Sequence, residues 1–399
     1  MKNIAFLLLG FALLFTACLN DEDWFTADKT IKSVKSEMVP DARVALFEVV
    51  PVQIGDTLLL KGETNLPEAK TLLLQRMQNA GLPVRDSILV LPSANLMGKH
   101  FGVVRLSVGN MRSKPKHSAE LSTQALLGTP LRVWKKMDDW YLVQTPDGYL
   151  GWMDEHGFTP MNEAELTDWQ QAPKWVVTEK DPASWFVYAQ TQTDGPIVMD
   201  LTLGSILRQN GTATKGMQPV RLPDGRAGFV KTNGLLPYDT WVEQSLPDST
   251  ELLATAYRMF GAPYLWGGTS AKGMDCSGFT KTVFFRNGIL LPRDASQQVH
   301  VGRTVETDTV HFSNLLPGDL LYFGRAAKEE QPEKIWHVGI YVGEGRMIHA
   351  AGEVKVNSLI RGETDFAEDR LLTFVRAKRL IEADSTTAGV EVLKNSAWY

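Results

Sequence analysis

Cysteine is scarce in this chain of 399 residues, which contains only Cys18 and Cys276. A single distant pair excludes the disulfide framework that staples small secreted domains. An excess of basic residues is also missing, because the net charge is -5 and the pI is about 5.9. Without a basic stripe, nucleic acid is excluded as an expected partner.

The chain also lacks an apolar run long enough to cross a bilayer. Residues 4–15 form an apolar run of twelve residues after Lys2, which fits the hydrophobic part of a signal peptide. Thr16-Ala17-Cys18 then resembles a bacterial lipobox, although Phe15 stands where that motif prefers leucine. We therefore expect residues 1–18 to be a lipoprotein signal peptide with Cys18 lipidated. Simple secretion and an uncleaved anchor are the alternatives.

Lipidation of Cys18 would hold the protein at a membrane surface. The acidic residues 20–23 that follow resemble tracts that direct some bacterial lipoproteins to the cell surface. The expected location is the cell envelope, either facing the periplasm or on the cell surface.

The N-terminal third shows alternating structural signals but no chemical signature. With 44% hydrophobic residues, the whole chain should form two to four globular domains. We expect a tether or loosely packed helix from residue 19 to 40, within an α+β unit that extends to 99. Its predicted strands are 44–50, 57–60 and 85–91, with a helix at about 66–79.

An internal repeat occupies the middle of the chain. Residues 145–152 align with 222–229 at an offset of 77, and 127–132 align with 203–208 at an offset of 76. Short strands around a Pro-Asp-Gly turn predict two copies of a small β-barrel, at 100–160 and 172–240. Aromatic residues in such barrels are commonly core. Tyr149 is different, because its repeat partner is Arg226 and the barrel therefore does not require it.

A glycine-rich segment followed by an amphipathic run places Cys276 in a reactive setting. Asp275 suits a helix N-cap, Phe279 and Val283 recur at helical spacing, and Asn287-Gly288 supplies a stop. Cys276 would then lie in the first turn of a helix, where backbone N–H groups and the helix dipole favour a thiolate. The pattern predicts a nucleophile.

Two histidines follow in a predicted hairpin. Residues 336–342 alternate as a strand that places His337 opposite the apolar face. If residues 343–345 form the loop, His349 lies opposite Gly339 and diagonal to His337. This predicts Cys276 as nucleophile, His337 as base and His349 as orienter. The same three side chains could instead hold zinc with one open position, and each alone could be structural.

These residues carry a resemblance to a known family. Asp-Cys-Ser-Gly-Phe at 275–279, His-Val-Gly-Ile-Tyr at 337–341 and Ile-His-Ala at 348–350 resemble the NlpC/P60 cell-wall cysteine peptidases. The resemblance covers about 245–383 and implies an α+β, papain-like catalytic domain, followed by a C-terminal tail at 384–399. The two predicted barrels resemble the bacterial SH3 (SH3b) modules that accompany such domains.

The resemblance also implies how the reaction is supported. Tyr264, twelve residues before Cys276, matches the family tyrosine that binds the oxyanion together with the Cys276 N–H. Packing of Tyr264 against Trp266 is the alternative. Asp275 is either a helix cap or a substrate contact.

Further residues are expected to bind the amino end of the substrate. Asp294, eighteen residues after the cysteine, matches a family aspartate that pairs with the free amine of L-Ala. A surface pair with Arg293 is the alternative. Ser277 is expected to donate a hydrogen bond nearby, and Tyr149 and Glu120 of the first barrel to help hold the amine.

The resemblance thus implies hydrolysis of the amide between γ-D-Glu and a diamino acid in peptidoglycan-derived peptides, with a free L-Ala end and without a cofactor. Three alternatives are other activities of the same fold: cleavage of cross-links, an N-acetylmuramoyl-L-alanine amidase, and a lipid acyltransferase. A non-catalytic wall-binding protein is the remaining one.

Overall fold

A computed structural model describes residues 21–178, 185–243, 248–382, 385–387 and 389–399. Cys18 and the predicted signal peptide lie outside these residues. The chain divides into two compact units after Leu91. The boundaries predicted within each unit stay predictions.

The first unit packs two helices on one sheet. Its elements are α1 Asp21–Met38, β1 Phe47–Ile54, β2 Thr57–Thr64, α2 Pro67–Asn79 and β3 Val84–Val90. Strand β2 pairs antiparallel with β1 and parallel with β3, so α2 forms the crossover. Of the two expectations for residues 19–40, a tether or a loosely packed helix, the helix is the one found at 21–38, but it is not loosely packed. Ala27, Ile31 and Val34 are buried at helical spacing, so α1 is part of the core.

The second unit begins with two sheets of seven strands, here the first β-module (101–161) and the second β-module (174–237). The first contains β4 Phe101–Val104, β5 Val108–Arg112, β6 Leu121–Leu126, β7 Pro130–Met137, β8 Trp140–Gln144, β9 Leu150–Asp154 and β10 Phe158–Met161. The second contains β11 Lys174–Val177, β12 Phe186–Tyr188, β13 Ile197–Asp200, β14 Ile206–Gln209, β15 Met217–Arg221, β16 Ala227–Lys231 and β17 Leu235–Pro237.

The two β-modules have the same topology. The first has the strand order β10-β4-β7-β8-β9-β5-β6, and the second has β17-β11-β14-β15-β16-β12-β13. The sequence repeat is therefore also a repeat of strand order. Each module leads into a helix, α3 Glu163–Gln171 or α4 Tyr238–Glu243.

The remaining chain, here the catalytic region, builds a six-stranded antiparallel sheet with order β21-β26-β22-β23-β24-β25. Its helices are α5 Ser249–Tyr257, α6 Cys276–Arg286, α7 Ala295–Gln298 and α8 Glu368–Leu372. Its larger strands are β21 Arg303–Val305, β22 Leu320–Arg325, β23 Lys334–Gly343, β24 Arg346–Ala351, β25 Glu353–Ser358 and β26 Phe374–Arg379. Helix α6 packs on β23 and β24 through a core that includes Phe279, Val338 and Ile348.

Short strand pairs complete this region: β18 Thr269–Ser270 with β19 Gly273–Met274, β20 Ile289–Leu290 with β29 Glu391–Val392, and β27 Ile381–Glu382 with β28 Ser385–Thr386. The β20–β29 pairing corrects the expected C-terminal tail. Leu393 is fully buried in a core that both β-modules share, so residues 389–399 belong to the packed unit. Among the described residues, no helix is both long and apolar enough to cross a membrane.

Candidate active site

Helix α6 begins at the predicted nucleophile. Asp275 is its N-cap and accepts a hydrogen bond from the Gly278 N–H at 2.7 Å, as the sequence predicted. Gly278 is needed for close approach, because a Cβ there would lie 2.0 Å from the Gly268 carbonyl oxygen. The cap and this contact together fix Cys276 in the first turn.

The sulfur of Cys276 faces strand β23. Its Sγ lies 4.0 Å from the Trp336 carbonyl oxygen. Trp336 is the extra residue of a β-bulge, because Phe323 pairs with His337 while Gly324 pairs with Ile335. The Trp336 carbonyl thus faces the nucleophile, and His337 is the next residue of the same strand.

The expected low pKa of Cys276 is wrong. Burial, followed by the charge of Asp275, raises the pKa of the thiol to about 11. The N–H groups of Val338 and Ser277 act in the opposite direction but contribute less. The helix N-terminus is thus outweighed by desolvation, and the resting sulfur is protonated at neutral pH. Its proton must leave during the reaction, which requires a base.

The hairpin register agrees with the prediction for His349. Ile340 pairs with Ile348, which places His349 opposite Gly339. His337 Nε2 and His349 Nδ1 are 2.7 Å apart, and both rings are buried. A Cβ at residue 339 would lie 3.2 Å from the Cβ of His349, which is closer than most such contacts, so glycine avoids crowding at this pair.

Both imidazoles are neutral at neutral pH. Burial, together with the neighbouring His349, lowers the pKa of His337 well below 6.5. Burial lowers the pKa of His349 to about 4, although a hydrogen bond from its Nε2 to Asn357 Oδ1 at 2.9 Å opposes this shift. A neutral His337 is in the state that a proton acceptor needs.

The direct hydrogen bond between the rings bears on the zinc alternative. His337 Nε2 and His349 Nδ1 share a proton at 2.7 Å, so these two atoms are not both available as ligands to one ion. In the part of the chain that the structure describes, no group of three or more His, Cys, Asp or Glu side chains is arranged to hold a metal. The arrangement fits the base-and-orienter interpretation.

A buried arginine links the cap to the first β-module. Arg293 is 1% exposed, and its guanidinium bonds to both carboxylate oxygens of Asp275 at 3.1 and 2.6 Å. It also donates to Ser277 Oγ at 3.1 Å and to Thr123 Oγ1 at 2.9 Å. Burial disfavours this charge, but Asp275 and Asp294 leave the pKa of Arg293 raised above its ordinary value.

From the sequence, we considered Arg293 only as a possible surface partner of Asp294. That interpretation is wrong. The Arg293 Nη1 to Asp294 Oδ1 distance is 3.8 Å, while the principal pair is the buried one with Asp275. Ser277 Oγ also donates to Asp275 Oδ1 at 3.3 Å, which agrees with its predicted local hydrogen bond. Asp275 therefore acts as a cap and a counter-ion. Nothing local in the sequence signalled that Arg293 would be buried.

Tyr264 lies within the electrostatic reach of the nucleophile. Burial, and then the proximity of Cys276, raise the pKa of the Tyr264 hydroxyl to about 12. The phenol is therefore protonated at neutral pH and able to donate a hydrogen bond. Trp266, its alternative packing partner, is 62% exposed and donates from Nε1 to Glu120 Oε1 at 2.7 Å.

The first β-module reaches the catalytic region at the predicted tyrosine. Tyr149 donates from its hydroxyl to Asp294 Oδ2 at 3.2 Å. Asp294 caps the short helix α7, and its side chain is 27% exposed, so solvent and small molecules can reach it. The structure thus brings Tyr149 to Asp294, and Glu120 to Trp266.

A second contact of the same turn was not foreseen. Asp147 lies 2.8 Å from Lys281 Nζ on α6, and both side chains are largely buried. Burial lowers the pKa of Lys281, and Asp147 opposes that shift. This ion pair attaches the turn that carries Tyr149 to the helix that carries Cys276.

Comparisons with known proteins identify the family of this chain. The sequence profile of the NlpC/P60 family matches residues 261–376, and that of the bacterial dipeptidyl-peptidase Sh3 domain matches 111–158. A γ-D-glutamyl-L-lysine dipeptidyl-peptidase of Bacillus cereus is 32% identical over 239 residues, which cover 58% of this chain and 67% of that protein. This chain belongs to the NlpC/P60 family.

Other NlpC/P60 relatives extend the match. Dipeptidyl-peptidase 6 of Lysinibacillus sphaericus is 26% identical over 281 residues, covering 68% of this chain and 96% of that protein. The crystal structure of an NlpC/P60 family protein from Bacillus cereus aligns with a TM-score of 0.58 at 24% identity, covering 70% of this chain and 99% of that chain. The protein is an α+β cysteine peptidase with an SH3-like domain, of a family of cell-wall endopeptidases.

Proposed function

We propose that this peptidase hydrolyses the amide between γ-D-Glu and the following diamino acid in peptidoglycan stem peptides that begin with a free L-Ala. The observation that carries the amine preference is the meeting of Tyr149 with Asp294 at 3.2 Å. The position of the cleaved bond is supported by the names of the relatives, one of which is a γ-D-glutamyl-L-lysine dipeptidyl-peptidase.

The proposed chemistry begins at Cys276. Because the resting thiol is protonated, His337 accepts its proton as the sulfur attacks the γ-carbonyl of D-Glu. His349 holds the ring of His337 through the 2.7 Å hydrogen bond. The imidazolium of His337 then protonates the leaving amine, and water hydrolyses the thioester.

The negative oxygen of the tetrahedral intermediate needs donors. Tyr264 is a suitable donor because its raised pKa, about 12, keeps the hydroxyl protonated. The second donor is the N–H of Cys276, which stands at the first position of α6 and has no acceptor within its own helix. One such donor contributes roughly 10²–10³ in rate.

The amino end of the substrate is assigned to the border with the first β-module. An L-Ala ammonium placed against the Asp294 carboxylate would form a charge-assisted hydrogen bond, and Tyr149 would fix the orientation of that carboxylate. Glu120, held by Trp266 at 2.7 Å, supplies a further negative group for the same ammonium. Asp275 and Ser277 support this binding site indirectly, because both accept hydrogen bonds from Arg293, the residue before Asp294.

The test compares L-Ala-γ-D-Glu-L-Lys with its N-acetylated form. Acetylation removes the charge, so kcat/KM should fall about 10- to 100-fold, the size of a hydrogen bond to a charged group. In Asp294→Asn, the free tripeptide should be cleaved more slowly and the gap between the two substrates should narrow. Equal turnover of both peptides by the unaltered enzyme would contradict the amine preference.

We also propose that Cys18 is lipidated and holds the enzyme in the cell envelope. This proposal stands on the sequence, since Cys18 lies outside the described residues. Replacing it, as Cys18→Ser, should move the protein from the membrane fraction to the soluble fraction of the same cells. Retention in the membrane fraction would contradict the anchor.

A further inference from the structure

A relay of hydrogen bonds continues behind the two histidines and ends at a backbone carbonyl. His337 Nε2 and His349 Nδ1 are 2.7 Å apart, and His349 Nε2 and Asn357 Oδ1 are 2.9 Å apart. Asn357 Nδ2 in turn donates to the Asp365 carbonyl oxygen at 2.8 Å. The pairing of β24 with β25 places Asn357 beside His349. Lys355 lies opposite His349, so Asn357, two residues further along β25, lies diagonal to His349.

The direction of each bond follows from the one behind it. The Asp365 carbonyl can only accept, so the amide NH₂ of Asn357 faces it. The Asn357 oxygen then faces His349 and can only accept, so His349 Nε2 carries a proton. In a neutral His349 the Nδ1 is therefore bare and accepts from His337 Nε2. A neutral His337 with its proton on Nε2 has a bare Nδ1.

The bare Nδ1 is the atom that the reaction requires. His337 Nε2 is occupied by His349, so Nδ1 is the ring nitrogen left for the thiol. The sulfur lies against the backbone on both sides of His337, because its Sγ is 4.0 Å from the Trp336 carbonyl oxygen and interacts with the Val338 N–H. With the opposite tautomer, an N–H would face the sulfur and no proton could be accepted.

We propose that Asn357 is a positioning residue that fixes the tautomers of both histidines and so keeps His337 Nδ1 ready to accept the Cys276 proton. The inference deepens the proposed function, since it assigns the fourth member of the same site. It does not depend on which peptide is cleaved.

The relay also predicts what protonation does. If His349 gains a proton, both of its nitrogens carry hydrogens, and its Nδ1–H turns toward His337 Nε2. His337 must then carry its own proton on Nδ1, which removes the base. The charged groups around His349 are Lys355, Arg370 and Asp369, and burial outweighs them in keeping the ring neutral. Activity should therefore be lost as pH falls through the pKa of His349.

The first experiment locates the protons in the unliganded enzyme. Nitrogen NMR of ¹⁵N-histidine-labelled protein reports which ring nitrogen carries hydrogen, and His337→Gln and His349→Gln assign the signals. We expect protons on Nε2 of both rings at pH 7, and a mixture of tautomers in Asn357→Leu. A wild-type His337 protonated on Nδ1 would overturn the proposal, whether or not any peptide is hydrolysed.

The second experiment measures how the loss of Asn357 changes kcat and its dependence on pH. In Asn357→Leu, kcat should fall about 10- to 100-fold with little change in KM. Asn357→Asp keeps an acceptor for His349 Nε2–H and should restore the tautomers. Its charge raises the pKa of His349, so the acid limb of kcat should move to higher pH, a shift that a merely structural role would not produce.

Alkylation of Cys276 by iodoacetamide separates this proposal from the proposed substrate. Its rate should fall in Asn357→Leu and recover in Asn357→Asp, even if γ-D-Glu peptides prove not to be substrates. Asn357→Leu that keeps wild-type tautomers and a kcat within twofold of wild type would refute the role. If Asn357→Leu fails to fold, the tautomers of the wild-type enzyme and the acid limb of Asn357→Asp still test the role of Asn357.

Discussion

The two β-modules share a strand order and a Pro-Asp-Gly turn, yet in the part of the chain that the structure describes only the first module bonds to the catalytic region through this turn. In the first, Asp147 pairs with Lys281 at 2.8 Å and Tyr149 donates to Asp294 at 3.2 Å. In the second, Asp224 instead bonds to Arg226 of its own turn at 2.8 Å. The same turn therefore makes different contacts in the two modules.

The difference lies in side chains and not in the backbone. Residue for residue, Asp147 corresponds to Asp224 and Tyr149 to Arg226. Tyr149 is buried at its contact, whereas the Arg226 side chain is 44% exposed. Function on a repeated fold thus resides in the residues placed on it, and matched substitutions in the two turns can separate site from scaffold.

The largest difference is expected in stability, between substitutions of the two turn aspartates, Asp147 and Asp224. Asp147→Ala leaves the Lys281 ammonium buried without its counter-ion, which costs roughly 3–5 kcal/mol. Asp224→Ala removes a pair with a half-exposed arginine and should cost under about 1 kcal/mol. Urea denaturation of both variants measures the two changes in the free energy of unfolding. Equal losses of stability would show that the two turns are equivalent.

A smaller contrast is expected in catalysis. Tyr149→Phe removes the hydroxyl that bonds to Asp294, so kcat/KM on the free tripeptide should fall about tenfold, the size of one hydrogen bond to a charged group. Arg226→Ala should leave kcat/KM unchanged, because Arg226 bonds within its own module. Steady-state kinetics with both variants decides. A matching loss in Arg226→Ala would indicate that the effect is only structural.

The smallest expected effect is on the dependence of stability on pH, and it arises in the catalytic region. The folded pKa of His349 is about 4, below the ordinary 6.5, so the unfolded chain binds more protons between these values. This contribution to stability is therefore full well above pH 6.5 and is lost as pH falls toward 4, by roughly 1–2 kcal/mol at pH 5.5.

His337 contributes to the same dependence, because burial also lowers its pKa well below 6.5. His349→Gln should therefore reduce the dependence of the unfolding free energy on pH without abolishing it. A slope that persists unchanged in His349→Gln would assign the effect to other groups.

Local patterns were enough to predict much of the site. The Asp275 cap and the first-turn position of Cys276 follow from helix-end chemistry, and the position of His349 follows from the register of a short hairpin. Such features depend on residues that are near in sequence, so spacing alone indicates them.

Features that depend on distant segments were not predicted. Burial of Arg293 needs Thr123 of the first β-module, and the Asp147–Lys281 pair joins segments more than a hundred residues apart. The pKa of Cys276 was predicted in the wrong direction, because desolvation is set by the packing around the helix and not by the helix itself. Asn357 acquires its place only when β25 pairs with β24.

The central claim is that the Cys276 sulfur cleaves the bond after γ-D-Glu. Mass spectrometry of L-Ala-γ-D-Glu-L-Lys incubated with the enzyme tests it most directly. The account predicts L-Ala-γ-D-Glu and lysine as the products, and a loss of at least about 10³-fold in Cys276→Ala, since removing a nucleophile of this kind costs about 10⁶. Cleavage at another bond, or undiminished cleavage by Cys276→Ala, would contradict it.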